Sequence, residues 1–467
     1  MTLVGSCSTR QVCQFFELTG LDRFIASSYG TQQKVVVKIE ESIADYDKEE
    51  KSRLACMMTP KEITTCQDET FHPETCLVAI EPISNFILLE KYTDGRKASD
   101  WTNAMEEAVK DMPITIVQST SDEGKGIVRH VKKDLGAHHS PDVFHVQHEV
   151  AKAVSAPLAG KTRKAKKELE KAGEEVNRRI HEKRDFVNAK PRPGRPPDFD
   201  RKIERARIDE QQAREAFESA ESNQNRMKEA IRRISKVYHP VDLETGELKE
   251  AEDVSESLKK CFSEIETAAS MASLKESSWK RIKKAKKVVV DMVASILFFH
   301  MTIFAKIEAL SLPLEVERAV FNNLLPAFYI GRVAEKQKCA EDRRKLRRKS
   351  EELLTPLRSE NSPLKSLSQN ELEIVEKVCD ECVCLFQPAS SCVEGRNGQL
   401  SLRHHSLHRL SNRKLTALTV VHNFHIKRRD GTTPASRFFG VKPKDLFEYV
   451  LGKVDLPGRP AQKRAKA

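Results

Sequence analysis

This chain lacks an apolar run long enough to cross a bilayer without interruption. Its best candidate, "VVVDMVASILFFHMTIFAKI" at 288–307, contains Asp291, His300 and Lys306, and its uncharged stretch falls short of the roughly 20 residues a spanning helix needs. A buried helix is expected there, with no membrane contact. No signal peptide precedes the 11 cysteines, which are odd in number and scattered. A disulfide framework is therefore disfavoured, and reduced thiols in the cytoplasm are expected. Cys379, Cys382, Cys384 and Cys392 include one CxxC but no second pair, so packed core thiols are favoured over a zinc site. No fixed-period repeat is present, which excludes a solenoid.

What remains is a charge-rich chain of 467 residues with 39% hydrophobic residues, enough for two to four domains. Its 80 Lys and Arg exceed 69 Asp and Glu to give a net charge of +11, an excess that suits a polyanionic partner such as nucleic acid.

Residues 61–150 read as an α/β unit. "ITTCQDETF" is a short strand ending near Asp68, and "TCLVAIE" and "FILLEK" form a hairpin across "PISN". Trp101, Met105, Ala108 and Val109 recur at helical spacing, with Trp101 as core packing. "ITIVQS" is a fourth strand, followed by Asp122 in "TSDEGKG"; Ile127, Val128, Val131 and Leu135 mark a second helix, and "PDVFHVQ" a final strand. Residues 151–380 look all-helical, rich in Lys, Arg and Glu, broken by "KPRPGRPPD" and with at most a turn at "YHPVDLETGEL". Residues 381–455 are helical again. There "DGTTPAS" places Thr433 as N-cap and Pro434 at the first helical position. Residues 1–60 suggest helices with an apolar face of Val12, Phe15, Phe16, Leu21, Phe24 and Ile25, for which core packing and a helix-turn-helix DNA reader are the competing readings. The tail, 456–467, is basic.

Chemistry enters with three acids. Asp68 ends one strand and Asp122 follows another that can lie beside it; Glu394 sits on a helix that can pack on that sheet. Converging carboxylates suit a pair of hard divalent cations, which about 4 Å apart activate an attacking oxygen and stabilise the leaving one. Glu69 and Glu123 are rivals: successive strand residues point to opposite faces, so only one of each pair serves, but Asp122 lies in a loop where alternation lapses, and Glu123 stays open. Along 390–410, Glu394, Asn397 and Ser401 share a helix face and Arg396, Leu400 and Arg403 the next. Gly395 and Gly398 each cost up to about 1 kcal/mol in a helix, which suggests close approach of the backbone to the sheet or a DNA strand. Arg396, Arg403, His404, His405 and His408 are then placed for phosphates. His145, on the expected last strand, is either a second polar group near the metals or a buried histidine. "RRKLRRK", with Arg343, Arg344, Arg347 and Arg348, is a phosphate-contact run or a solvated face.

The motifs "CQDETFHP", "STSDEGKG", "DVFHVQHEV", "SSCVEGRNGQLSLRHH" and "VVHNFHIKRRDGTTPASRFFG" resemble those of DDE transposases of bacterial insertion sequences, over 63–150 and 385–440. The resemblance implies an RNase H-like α/β core interrupted by a large all-α insertion. It implies Asp68, Asp122 and Glu394 as catalytic metal ligands for two Mg²⁺ or Mn²⁺. It also implies element-end and target DNA as partners, held by Arg396, Asn397, Arg403 and the Arg343–Arg348 run, and a homodimer or higher oligomer on nucleoid DNA. The N-terminal part is short for that family. The alternatives are a related RNase H-like nuclease and an inactive, repurposed DNA-binding protein.

Overall fold

A computed structural model gives an α/β chain, 69% helical, with one five-stranded mixed sheet. It describes residues 2–5, 7–71, 74–190, Arg195, 197–407, 410–455 and 457–458, with only the backbone for 405–407. The chain divides into two compact units, one made of Met1–Asp142 with Met301–Ala467, the other of Val143–His300.

The first unit opens with helices α1 (Thr9–Thr19) and α2 (Tyr29–Met57). Strands β1 (Lys61–Phe71), β2 (Thr75–Glu81) and β3 (Phe86–Thr93) precede α3 (Ala98–Val109). Then come β4 (Ile114–Ser121), α4 (Lys125–Arg129) with a π-helical turn at His130–Asp134, and β5 (His138–Pro141). The strand order is β3-β2-β1-β4-β5. β1–β2 and β2–β3 are antiparallel, whereas β1–β4 and β4–β5 are parallel. Helices cover both faces, so β2 reads as an unbroken apolar run. Leu77 and Ala79 join Tyr46, Trp101 and Phe424 in one core; Val78 and Ile80 join Cys66, Val393 and Leu400 in the other.

The inserted unit begins with α5 (Val143–Asn188) and α6 (Phe199–Val237), followed by α7 (Ala251–Met271), α8 (Glu276–Lys287) and the first part of α9 (Val289–Glu308). The chain returns to the first unit through α10 (Leu314–Ala319), α11 (Leu325–Lys336), α12 (Ala340–Arg358) and α13 (Gln369–Leu385). It closes with α14 (Ser391–Leu407), α15 (Asn412–Phe424), α16 (Pro434–Phe439) and α17 (Leu446–Lys453).

Several expectations need correction. β1 runs three residues past Asp68. The final strand is β5, not "PDVFHVQ": Val143, Val146, Val150, Ala153 and Val154 are buried on α5, and helical spacing over that longer window overrides the short alternation. His145 therefore lies in the first turn of α5, in the other unit. The inserted unit spans 143–300 rather than 151–380, because α10 to α13 belong with the sheet-bearing unit. "YHPVDLETGEL" supplies one isolated bridge, Val241 to Leu248. The apolar helix α9 is only half buried: Met292, Ile296, Phe299, Ile303 and Ile307 point inward, while Val290, Leu297, Met301 and Phe304 are exposed. By length and composition Glu276–Glu308 is long and apolar enough to cross a membrane, though only 33% of its apolar window is buried. On the N-terminal apolar face, Phe15, Leu21 and Phe24 stay exposed. Thr433 does cap α16, accepting from the Ser436 amide, with Pro434 at the first helical position.

Candidate functional site

Pairing register puts three acids in one row. Cys66 faces Thr120 across the β1–β4 ladder, and Ser121 faces Pro141 across β4–β5. Continuing both ladders brings Asp68, Asp122 and Asp142 level on three neighbouring parallel strands, Asp68 three residues before the end of β1 and the other two just past the ends of β4 and β5. All three occupy even positions. That parity is shared by Thr64, whose hydroxyl donates to the Leu385 carbonyl at 3.1 Å, and by Thr120, which donates to the Gln387 carbonyl at 2.7 Å. The row therefore faces the chain that leads into α14.

Helix α14 closes the site. Asn397 Nδ2 donates to Asp68 Oδ2 at 2.8 Å, and a carboxylate oxygen of Glu394 lies within 4.8 Å of one from Asp142. Glu394 and Asn397, one turn apart, thus reach opposite ends of the acid row. Each acid is also braced by protein donors. The Glu69 amide donates to Asp68 Oδ1 at 2.8 Å, and the Gly124 amide to Asp122 Oδ1 at 2.9 Å. The Ser390 amide donates to Asp142 Oδ2 at 3.2 Å, and the Ser390 hydroxyl bonds the same oxygen. Asp142 was missed by sequence reasoning because β5 is four residues long, too short to display a period.

The rivals are set aside by geometry. Glu69 points to the other face, where Arg96 and the Trp101 indole donate to it at 3.1 and 3.3 Å. Glu123 is exposed beyond the strand end. Trp101 is fully buried, as core packing requires.

The expected phosphate contacts on α14 fare differently. Arg396 is buried and grips Glu90 of β3 through two bonds of 2.7 and 2.6 Å, with Thr419 donating to the same carboxylate at 2.5 Å. Its charge is spent inside the fold, so it does not meet phosphate. Arg403 donates to the Leu3 carbonyl at 2.7 Å and ties down the N-terminal segment. His404 is buried and shares a 3.1 Å hydrogen bond with Tyr92. His408 and the His405 side chain lie outside the described residues. Gly395 and Gly398 do not answer to close packing, since a Cβ at either would meet open space.

On α12, Arg344 and Arg347 are exposed, Arg348 pairs with Glu352 at 3.5 Å, and Arg343 donates to the Gln337 carbonyl at 3.2 Å. Cys379 and Cys382 are buried on α13. Burial pushes Cys384 up to about 12. The buried Cys66 thiol is raised well above its usual range, chiefly by its hydrogen bond with Cys392. Cys379 and Cys382 thus pack in the core, and Cys384 and Cys392 are half-buried.

The carboxylate oxygens of the acid row suit a hard divalent cation, as does the buried Asn397 Oδ1, which has no hydrogen-bond partner among the described residues. Fold and site define an α/β unit whose sheet ends in a carboxylate row closed by a helix supplied late in the chain. Residues 320–466 match a family of unknown function, DUF6399. That stretch carries Glu394, Arg396 and Asn397 but none of the three strand acids. No curated protein matches the chain.

Proposed function

We propose that this chain is a metal-dependent polynucleotidyl transferase of the DDE transposase type, built on an RNase H-like core. The observation that carries the reading is the acid row: Asp68, Asp122 and Asp142 level on adjacent parallel strands, facing the helix that brings Glu394 to Asp142. The strand order β3-β2-β1-β4-β5, with its antiparallel hairpins on one side and parallel pairs on the other, supports the same reading.

In it, Asp68, Asp122, Asp142 and Glu394 hold two Mg²⁺ or Mn²⁺ ions. When bound, such ions activate the attacking oxygen and stabilise the leaving one of a phosphodiester. Asn397 fixes the Asp68 carboxylate, and Ser390 fixes that of Asp142. Both transposition steps, hydrolysis at an element end and attack of the freed 3′-hydroxyl on target DNA, are in-line phosphoryl transfers, so one site serves both.

The test is nicking of supercoiled plasmid with Mg²⁺ or Mn²⁺ by the full chain and by Glu394→Gln, which keeps shape but removes ligand charge. Loss of nicking in the variant, with an unchanged far-ultraviolet spectrum, is expected; nicking at the parent rate overturns the assignment. Joining of a labelled DNA end to plasmid separates a transposase from a nuclease.

A further inference from the structure

In the inserted unit, α5 is two helices in electrostatic terms. Its distal half, 168–188, has five Lys and Arg against six Asp and Glu, with Arg178 and Arg179 both paired to Glu175 and Glu182. That is how an ordinary solvated face looks. Its proximal half, 143–167, has six Lys and Arg (Lys152, Lys161, Arg163, Lys164, Lys166 and Lys167) against Glu149 alone. Helix α8 repeats the imbalance, with six Lys and Arg against Glu276.

The two helices share one surface. The Ser278 hydroxyl donates to the Ala153 carbonyl at 2.7 Å, and Arg281 lies 3.7 Å from Glu149, so α8 runs antiparallel along the face of α5 that carries residues 149 and 153. Helical spacing continues that face through residues 160, 164 and 167, beyond the start of α8. At 1.5 Å per residue, Lys287 to Lys167 spans roughly 35 Å, close to one turn of a DNA duplex. Lys161, Arg163, Lys164, Lys166, Lys167, Lys283, Lys284 and Lys287 are all exposed and form no ion pair among the described residues. The apolar side chains Ile282 and Ala285 of α8 are buried inward, while Trp279 is half-buried among the cations.

We propose that this α5–α8 face is a docking surface for the phosphate backbone of double-stranded DNA. As a partner assignment it rests on the nucleic-acid reading above, but none of its residues belongs to the acid row.

The test is fluorescence anisotropy of a labelled 30-base-pair duplex with the full chain at stepped NaCl. Two charge-reversal triples are compared, Lys161→Glu/Lys164→Glu/Lys167→Glu and Lys283→Glu/Lys284→Glu/Lys287→Glu, with Lys171→Glu/Lys183→Glu on the distal half as control. Each triple should weaken binding at least tenfold and reduce the slope of log K against log salt by about 2 to 3, at roughly 0.9 for each phosphate no longer neutralised; the control should bind like the parent. Parent-like binding by both triples overturns the proposal. So does a chain that sediments with phosphatidylserine vesicles but not with the duplex. Duplex binding that depends on these lysines without metal-dependent nicking removes the catalytic reading and leaves this surface standing. Nicking with unaffected triples does the reverse. Apart from the half-buried Lys183 of the control, all substituted residues are exposed, and the helical spectrum of each variant checks its fold.

Discussion

The two halves of the sheet are equally buried and chemically opposite. On β2 and β3, Leu77, Val78, Ala79, Ile80, Phe86, Ile87, Leu88 and Leu89 are all nearly inaccessible. On β4 and β5, Gln118, Ser119, Thr120, Ser121, His139 and Ser140 are just as inaccessible. Some of their groups pair internally, as the Gln118 amide does with the Ser140 hydroxyl at 2.5 Å and Ser121 with His139 at 2.9 Å, whereas Ser119 Oγ and Gln118 Oε1 have no partner among the described residues. A core built for stability alone would bury apolar groups on both sides. The hairpin half is thus a foundation, whereas the parallel half sacrifices apolar burial to fix the strand ends that carry the acids.

Mutation can test that division. Asp122→Asn and Glu394→Gln should lower plasmid nicking on the order of a hundredfold or more with little change in thermal stability; a large stability loss would place these acids in the foundation instead. Arg396→Ala should cost about 3 to 5 kcal/mol in denaturant unfolding, because it strands the buried Glu90 charge. Arg396→Met with Glu90→Leu should recover much of that loss. Leu77→Ala, in the apolar half, should cost about 2 to 5 kcal/mol. Thr120→Val, in the polar half, should cost only about 1 kcal/mol by leaving the Gln387 carbonyl without its donor. If the two strands proved equally costly, the division of labour would fall.

Acid should also act on the foundation. Burial lowers His130 to about 4 against the opposing pull of Asp134, so the folded chain refuses a proton that the unfolded chain accepts below about 6.5. Stability from this group is complete above pH 6.5 and is lost as pH falls toward 4, by about 2 kcal/mol at pH 5. His130→Gln should flatten that part of a pH series of chemical denaturation.

Much of the fold was legible where local chemistry dictates it. The "PISN" turn, the helix at Trp101 and Met105, and the Thr433–Pro434 helix start all depend on neighbours in sequence. Strand parity is a local rule as well, but it says only that one of each neighbouring pair can face the site; the preference for Asp at 68 and 122 comes from the resemblance. Asp142 was not legible, because its strand is short and the following valines alternate for a few residues before their helical period emerges. Nor was the fate of Arg396: its partner is 306 residues away, and a basic residue beside a site acid looks the same in sequence whether it faces phosphate or a buried carboxylate. The glycines on α14 misled for a related reason, since their cost in a helix is local but the space around them is not.

The sheet-bearing unit is interrupted, and this matters during synthesis. Asp68, Asp122 and Asp142 leave the ribosome early, but Glu394 follows only after the whole inserted unit and four further helices. At roughly 5 to 20 residues per second, the acid row waits tens of seconds for its closing helix. Until then, Asp68 lacks Asn397 and Asp142 lacks both Ser390 and Glu394. A nascent chain, or one truncated before α14, therefore carries an incomplete carboxylate set, and the emergence of α14 becomes the step that completes the row.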